Sequence, residues 1–175
     1  RTITVVDGTL TACDKAIEGR LVFPLDVTKV NDDAFNGCTM LNSVEIISGV
    51  EAIGARAFYG CTSLEYIKMG VDVKSIGDYA FYGCITLTEA ALPSALETLG
   101  VRAFAECYAL KEVNTGAFLA TVSDYAFYNC TSLKTVKING GAQYIRVRAF
   151  AGCTALQTVM IMTDISSIDA YAFAG

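Results

Sequence analysis

The hydrophobic positions of this chain repeat every 23 residues. An Ala-Phe pair recurs seven times at that interval, and from Cys38 onward one cysteine follows each pair except the last. Counted from Cys38, each unit has Cys at position 1, Leu at 4, apolar residues at 7, 13 and 16, and Ala-Phe at 20 and 21. Position 9 is apolar in five units and is Thr115 in the sixth. A unit this short cannot bury its own apolar side chains, so the pattern predicts a solenoid of stacked coils that share one core.

The unit at residues 61–83 illustrates the elements of one coil. Its Leu64-x-x-Ile67-x-Met69 segment alternates with period two, which predicts a short strand with positions 7 and 9 inward. Val73-x-x-Ile76 predicts a second extended segment. Residues 78–83 are interpreted as one helical or 3-10 turn that ends at a glycine. At that last position Asn129 is a tolerated replacement for glycine, and Glu106 is an unfavourable one.

The N-terminal residues depart from the repeat. Residues 3–6, Asp7-Gly8 and residues 9–13 predict a β-hairpin. We therefore divide the chain into residues 1–37, an N-terminal hairpin cap plus a degenerate first repeat, and residues 38–175, six 23-residue repeats truncated at the C-terminus. The chain is expected to be a piece of a longer one. Its uncapped C-terminal end is expected to support weak self-association.

The repeat resembles that of the BspA-like leucine-rich repeat family, which runs roughly Leu-x-x-Ile-x-Ile-Pro … Ile-Gly-x-x-Ala-Phe-x-x-Cys. Residues 79–87 (YAFYGCITL) and 125–133 (YAFYNCTSL) follow it closely, and the match covers residues 15–175. The family's proline after the first strand is kept only at Pro24 and Pro93. The resemblance implies a microbial cell-surface or secreted protein, often an adhesin that binds host matrix proteins or other cells. It implies no catalytic residues.

These patterns together predict an α/β solenoid. It would be a right-handed leucine-rich-repeat superhelix of 23-residue coils, with short parallel strands on the concave face and single helical or 3-10 turns on the convex side. The strands are expected near the residues at position 7 of each unit, which are Val44, Ile67, Ala90, Val113, Val136 and Val159.

Composition excludes several other classes of protein. The hydrophobic content of 53% argues against disorder, and charge or glycine interrupts every apolar run before it reaches the length of a membrane span. The net charge is −5, and the basic residues are scattered, so a nucleic-acid surface is not expected. No targeting signal is recognised, and an extracellular or cell-surface location is expected from the resemblance alone.

The cysteines allow three interpretations. Six of the seven are 23 residues apart, and only Cys13 is out of register. One inward cysteine per coil places the sulfurs in a line, whereas zinc needs about four ligands that converge on one point, and the chain has no histidine. Buried free thiols are therefore the leading interpretation; some disulfide pairing stays open, and a metal site is the weakest alternative. No metal or cofactor is predicted.

Catalysis has little support in the sequence. Without histidine the usual general base is absent. The best acidic pair is Glu89 and Glu112, both at position 6, which adjacent parallel strands would bring about 5 Å apart. A solvated, mildly repelling pair is favoured over a cation or ligand contact, and catalysis is the least favoured role. We predict no catalytic residues and no enzymatic activity.

The outward positions 6 and 8 vary in chemistry while the core positions stay nearly constant. We predict a protein-binding or adhesion module that presents this variable face to a protein ligand, with a host matrix or cell-surface protein suspected. The alternative is a structural spacer or display scaffold for another domain, since the fold alone does not decide function. The candidate ligand-binding residues are Glu45, Tyr66, Lys68, Glu89, Glu112, Asn114, Lys137 and Met160.

Position 19, just before each Ala-Phe pair, alternates strictly between arginine and tyrosine. Stacked coils would place each guanidinium between two phenol rings, with Asp78 and Asp124 meeting the arginines from the flank. Duplication of a two-coil unit, without contact between the side chains, is the alternative. The alternating residues are Arg56, Tyr79, Arg102, Tyr125, Arg148 and Tyr171.

Overall fold

The computed structural model of the chain describes residues 2–175. It is a parallel-strand β-solenoid of about seven coils of about 23 residues, with the leucine-rich-repeat fold. Each complete coil contributes two short strands and one turn segment. The N-terminal strands β1 (Ile3–Val6) and β2 (Thr9–Cys13) pair antiparallel as a hairpin, and β2 continues into the parallel stack through β4.

The strands that follow are numbered in chain order and form two ladders. The first-strand ladder consists of β3 (Gly19–Val22), β5 (Leu41–Glu45), β7 (Tyr66–Lys68), β9 (Glu89–Ala90), β11 (Glu112–Asn114), β13 (Thr135–Ile138) and β15 (Thr158–Ile161). The second-strand ladder consists of β4 (Lys29–Val30), β6 (Ala52–Ile53), β8 (Ser75–Ile76), β10 (Thr98–Leu99), β12 (Thr121–Val122), β14 (Tyr144–Ile145) and β16 (Ser167–Ile168).

The strand register follows the sequence period. Within the first-strand ladder Ser43 lies beside Tyr66, and Tyr66 lies beside Glu89, so equivalent positions of successive repeats are neighbours. The six strands expected around position 7 are all present, which confirms that part of the prediction. The parallel arrangement stacks identical apolar side chains on one another, and this is how a 23-residue unit becomes part of a continuous core.

The prediction of a helical turn in each coil is wrong. Residues 2–175 form no helix, and therefore none that is long and apolar enough to cross a membrane. In residues 78–83 the N–H groups of Tyr79, Phe81 and Gly83 donate to carbonyl oxygens of the next coil at 2.7–3.0 Å. Tyr79 also has a φ of 56°. A residue with a left-handed backbone conformation interrupts a right-handed helix. In addition, every second N–H group of this segment bonds to the next coil and is not available for a hydrogen bond within a helix, so no helix forms.

The centre of the solenoid contains a column of phenylalanine rings. Consecutive ring centroids are 4.8–5.8 Å apart and the rings are nearly parallel. The inner rings are fully buried, as expected for aromatic side chains that supply much of a core's apolar area. The members of the column are Phe23, Phe35, Phe58, Phe81, Phe104, Phe127, Phe150 and Phe173.

The six in-register cysteines are buried, and all seven cysteines are free thiols. Five of these buried thiols have the same hydrogen-bond acceptor: each Sγ donates to a phenylalanine carbonyl oxygen of the preceding coil at 3.2–3.3 Å. The repeated cysteine is therefore a small apolar side chain that also supplies a weak donor to the neighbouring backbone. The five donors are Cys61, Cys84, Cys107, Cys130 and Cys153.

Both ladders are interrupted between the same two coils, residues 84–106 and 107–129. Pairing stops after β9 in the first-strand ladder and after β10 in the second, and it resumes with β11–β13 and β12–β14. The turn segments on either side stay bonded, since Phe104 N–H donates to Ala126 O at 2.8 Å, and their phenylalanine rings stay stacked. We call this interruption of both strand ladders the seam.

One backbone hydrogen bond of the second-strand ladder changes at the seam. Gly77 N–H donates to Ile53 O and Gly100 N–H donates to Ile76 O, both at 2.8 Å. These glycines occupy position 17, where an added Cβ would lie 2.3–2.5 Å from the nearest atom of the preceding coil. The next coil has Ser123 at this position, and there the side-chain hydroxyl is the donor to the equivalent carbonyl oxygen, that of Leu99.

The last coil leaves its apolar side chains partly uncovered. Val159 is 39% and Met162 is 67% exposed, whereas Val136, the equivalent of Val159 one coil earlier, is fully buried. The difference arises because the preceding coils each lie between two neighbours.

Candidate functional site: the variable face

The outward side of the first-strand ladder, here called the variable face, is built by simple alternation. In β7 the residues Tyr66 and Lys68 are exposed while Ile67 between them is buried. The same exposed–buried–exposed pattern occurs in β11. The structure places the eight candidate residues at positions 6 and 8 of this ladder, with Glu45, Lys137 and Met160 half-buried and the others exposed.

Glu45 links three successive strands through charge. One carboxylate oxygen accepts a hydrogen bond from Arg20 at 2.6 Å and the other accepts one from Lys68 at 2.9 Å. The hydrogen bonds from Lys68 and then Arg20 lower the pKa of Glu45, and the same carboxylate raises the pKa of Lys68. The three side chains therefore form one connected polar patch at the N-terminal end of the variable face.

Glu89 and Glu112 occupy equivalent positions on β9 and β11, which contact each other across the seam without a continuous strand ladder. Both residues line an open hollow of about 410 Å³. The other residues that line it are Thr88, Ala90, Ala91, Lys111 and Asn114.

The remaining candidates, Asn114, Lys137 and Met160, lie beyond the seam on three consecutive strands. The Lys137 ammonium lies 3.4 Å from the Glu112 carboxylate, so one wall of the hollow is partly neutralised. Asn114 accepts a side-chain hydrogen bond from Asn139 and is in register with Lys137, which is in register with Met160. The face is therefore polar at the hollow, where Asn114 and Lys137 lie, and less polar near the last coil, where Met160 lies.

Some residues of this surface were missed from the sequence. Arg20 lies in the degenerate first repeat, where the numbering of positions is least secure, and it nevertheless bonds to Glu45. One irregularity of the sequence coincides with the seam: the unit at residues 107–129 has Thr115 at a position that is apolar in the other five units. Thr115 is fully buried, and its hydroxyl accepts the Asn139 N–H at 3.0 Å.

The turn edge carries the arginine and tyrosine residues of position 19. The Arg102 guanidinium lies 4.4 Å from the Tyr125 ring centroid, and Arg148 lies 5.9 Å from Tyr125 and 5.2 Å from Tyr171. Arg148 therefore lies within reach of two phenol rings, as predicted, whereas Arg102 lies over the Tyr125 ring alone among the position-19 tyrosines. Arg56 differs, because two of its three guanidinium nitrogens, Nε and Nη2, donate to the Asp33 carboxylate at 2.9 and 2.7 Å.

The aspartates beside the tyrosines have a different role from the one predicted. Asp78 accepts the backbone N–H of Val101 at 2.8 Å, and Asp124 accepts that of Val147 at 3.0 Å. Asp32 does the same for the next coil. Each aspartate thus supplies an acceptor to a neighbouring coil's backbone, which gives the 46-residue super-period a structural basis.

The chemistry available on the variable face is that of recognition. Its groups are carboxylates, ammonium and guanidinium ions, amides, one phenol and one thioether, all on short strands. Within residues 2–175 no group of three or more cysteine, aspartate or glutamate side chains is placed to hold a metal ion. Binding proteins commonly combine such groups with one or two aromatic anchors.

The repeat sequence identifies the family. The profile of the BspA type Leucine rich repeat region matches residues 13–122 and 66–175, with six copies. The chain belongs to the BspA-type leucine-rich repeat family. Proteins of the BspA-type family are typically surface-exposed or secreted, and they are typically non-catalytic.

Solved structures of bacterial leucine-rich repeat proteins are similar to this chain. A T. pallidum leucine-rich repeat protein is 28% identical with a TM-score of 0.86, over 92% of this chain and 77% of that one. One from Bacteroides ovatus is 30% identical with a TM-score of 0.82, over 95% and 45%. A leucine-rich cell surface protein of Faecalibacterium prausnitzii shares the fold at 24% identity and a TM-score of 0.59, over 87% and 35%.

The similarity covers unequal shares of these proteins. The chain spans less than half the length of the Bacteroides ovatus protein and about three quarters of the T. pallidum one. No curated protein matches it in sequence.

Proposed function

We propose that this chain is a protein-binding or adhesion module of a cell-surface or secreted protein, and that the variable face is its contact surface. The observation that carries the proposal is the contrast between the two sides of the first-strand ladder. Inward residues such as Ile67 are repeated and buried, whereas outward residues differ from coil to coil and include Tyr66, which is 42% exposed. An exposed aromatic residue beside a fixed charge is a common anchor in protein interfaces.

The polar contacts of this face support binding by preorganisation. Arg20 and Lys68 are already held by Glu45 without a ligand, and Lys137 is held by Glu112. A partner that binds these side chains therefore loses less side-chain entropy than it would with free ones. The hollow at the seam adds a concave feature to an otherwise regular surface.

A binding experiment tests the proposal. The purified chain is passed over immobilised collagen and fibronectin as representative matrix proteins, and Tyr66→Ala/Lys68→Ala is compared with wild type. Loss of a central anchor is expected to weaken binding by at least about fivefold. The matched control is Glu51→Ala/Lys74→Ala, which removes a solvent-exposed ion pair outside the variable face. Equal loss in both variants would contradict the assignment of the surface.

A second role, as a stiff spacer or display scaffold, is favoured by the uninterrupted phenylalanine column. The rings stay stacked even across the seam, at 5.5 Å between Phe104 and Phe127. In this role no matrix protein would bind the chain, while a domain fused to it would be held away from its anchor. Absence of binding to both matrix proteins by wild type would favour the spacer.

A further inference from the structure

The first in-register cysteine lacks the acceptor that the others have. In the coils that follow, each buried thiol donates to a phenylalanine carbonyl of the coil before it. The equivalent acceptor position for Cys38, 26 residues earlier, is Ala12 in the hairpin strand β2, and the Cys38 sulfur instead contacts the sulfur of Cys13 at 2.7 Å. This separation is between a covalent sulfur–sulfur bond, about 2.05 Å, and an ordinary contact between two nonbonded sulfur atoms.

The backbone holds both cysteines in place. The Cys13 N–H donates to Ala34 O at 3.0 Å, and the Cys38 N–H donates to Phe35 O at 3.0 Å. Cys13 is also the last residue of β2, so it is fixed by strand pairing to Ile3. A bond between the two sulfurs would therefore require little movement of either chain segment, which is the usual obstacle to forming a disulfide.

The two sulfurs differ from the rest in access. Cys13 is half-exposed, whereas the in-register cysteines are buried. Burial raises the pKa of Cys61 to about 12. The hydrogen bond between Cys13 and Cys38 lowers the pKa of Cys38 and raises that of Cys13. Because Cys13 is half-exposed and its sulfur already lies 2.7 Å from that of Cys38, oxidation is expected at this pair rather than along the column.

We propose that Cys13 and Cys38 are an oxidation site that forms a disulfide, which joins the N-terminal hairpin covalently to the first regular repeat. This disulfide is independent of the family assignment and of the proposed role of the variable face. Its position between the terminal hairpin and the stack means that it would fasten the end of the solenoid, where coils are covered on one side only.

The chemistry balances with a low-molecular-weight disulfide such as oxidised glutathione as the oxidant. The Cys13 thiolate attacks one glutathione sulfur and displaces a glutathione thiolate, which leaves a mixed disulfide on Cys13. The Cys38 thiolate then attacks the Cys13 sulfur and displaces the second glutathione thiolate. The two protons lost by the cysteines end on the two glutathione thiols, so one oxidised glutathione is reduced for each disulfide formed.

The proposal is tested by counting thiols. The full chain is equilibrated with oxidised glutathione, freed of reagent, denatured and titrated, and its peptides are mapped without reduction. Of the seven cysteines, five are expected to stay reduced, with Cys13 and Cys38 in one linked peptide pair. Seven free thiols, a different linked pair, or a stable glutathione adduct on Cys13 would each overturn it.

Two variants make the result specific. Cys13→Ser changes a half-exposed residue and is expected to keep all six remaining thiols reduced. Cys153→Ser removes one thiol of the buried column and is expected to lose two of its six by oxidation, as wild type does. In thermal unfolding the oxidised wild type is expected to have a Tm about 5–10 °C above the reduced form. A Tm difference of the same size in Cys13→Ser would contradict the proposal.

Discussion

The thiol of Cys84 donates a hydrogen bond to the carbonyl oxygen of Phe58, 26 residues earlier, at 3.2 Å. The same carbonyl also accepts the Cys61 N–H at 3.2 Å, which closes the turn that runs from Phe58 to Cys61. Both lone pairs of the oxygen are therefore used, one within a turn and one between successive turns. Serine would be a smaller and more polar side chain at this position, and alanine would lack the donor to the carbonyl oxygen. Cysteine therefore fills the available space and supplies the hydrogen bond.

Replacing Cys84 with alanine removes the second donor to Phe58 and leaves a small void. We expect a loss of about 1–2 kcal/mol in the free energy of unfolding, measured by denaturant titration under reducing conditions. Cys13→Ala, at a half-exposed position, is the matched control and should lose less than about 0.5 kcal/mol. Equal losses in the two variants would mean that the buried thiol has no special role.

The phenylalanine column makes a sharper prediction. Phe81 is fully buried and stacks on rings above and below it at 4.8–5.1 Å, so Phe81→Ala should cost about 3–5 kcal/mol. Phe118 is the same residue type at 65% exposure, and Phe118→Ala should change the free energy of unfolding by less than about 0.5 kcal/mol. A loss below about 1 kcal/mol for Phe81→Ala would contradict its place in the core.

Close approach of the coils at position 17 predicts an asymmetry among glycines. A Cβ at Gly77 would lie 2.5 Å from the Ala55 nitrogen and 2.8 Å from the Gly54 carbonyl carbon. Gly77→Ala should therefore cost at least about 2 kcal/mol, because the coils must separate. Gly140 has open space around the same added atom, and Gly140→Ala should be nearly neutral or slightly stabilising. Thermal unfolding of the two variants compares them directly.

Glu106 has a strained backbone conformation, and replacing it with glycine should increase the stability of the fold. It has a φ of 61° at the position where most coils have glycine. Glu106→Gly should raise the free energy of unfolding by about 0.5–1 kcal/mol despite losing the hydrogen bond that the Tyr108 hydroxyl donates to its carboxylate. Glu106→Ala loses the same bond and keeps the left-handed strain, so it should not gain. An equal increase in the free energy of unfolding in both variants would mean that relief of backbone strain is not the cause.

The ion pair of Asp33 and Arg56 predicts a pH dependence at acid pH. The hydrogen bond from Arg56 lowers the pKa of Asp33 from 3.8 to about 2. Because the folded state binds this proton less readily than the unfolded state, the stabilisation is present above about pH 3.8 and is lost as the pH falls towards 2. Carbon-detected NMR titration should give a pKa for Asp33 that returns towards 3.8 in Arg56→Met. An unchanged pKa of Asp33 in that variant would show that the ion pair with Arg56 does not lower it.

The strands and the core could be predicted because one set of positions satisfies packing in every coil. Ile67 and Phe81 recur at fixed intervals, and stacking identical side chains in register leaves few alternatives. The turn segment could not be predicted in the same way. Tyr79 has a left-handed φ although its side chain gives no such indication, and its N–H bonds to the next coil instead of its own. Local propensity does not contain information about bonds between coils.

The candidate site was predicted residue by residue but not in its geometry. Alternation places Tyr66 and Lys68 outward without further knowledge. The hollow that Glu89 and Glu112 line lies where strand pairing is interrupted between their two coils, and the regular spacing of the repeat does not indicate that interruption.

The seam is expected to reduce the cooperativity of unfolding between the parts of the solenoid on its two sides. In a linear array, stability is approximately a sum of terms for each coil and for each interface between neighbours. The interface at the seam keeps a Lys111 N–H to Thr88 O hydrogen bond and the Phe104–Phe127 stack, but it has no continuous strand ladder, so its term is expected to be the smallest. Denaturant is therefore expected to melt the array as two blocks that meet near residue 106, with hydrogen exchange in β12 faster than in β8.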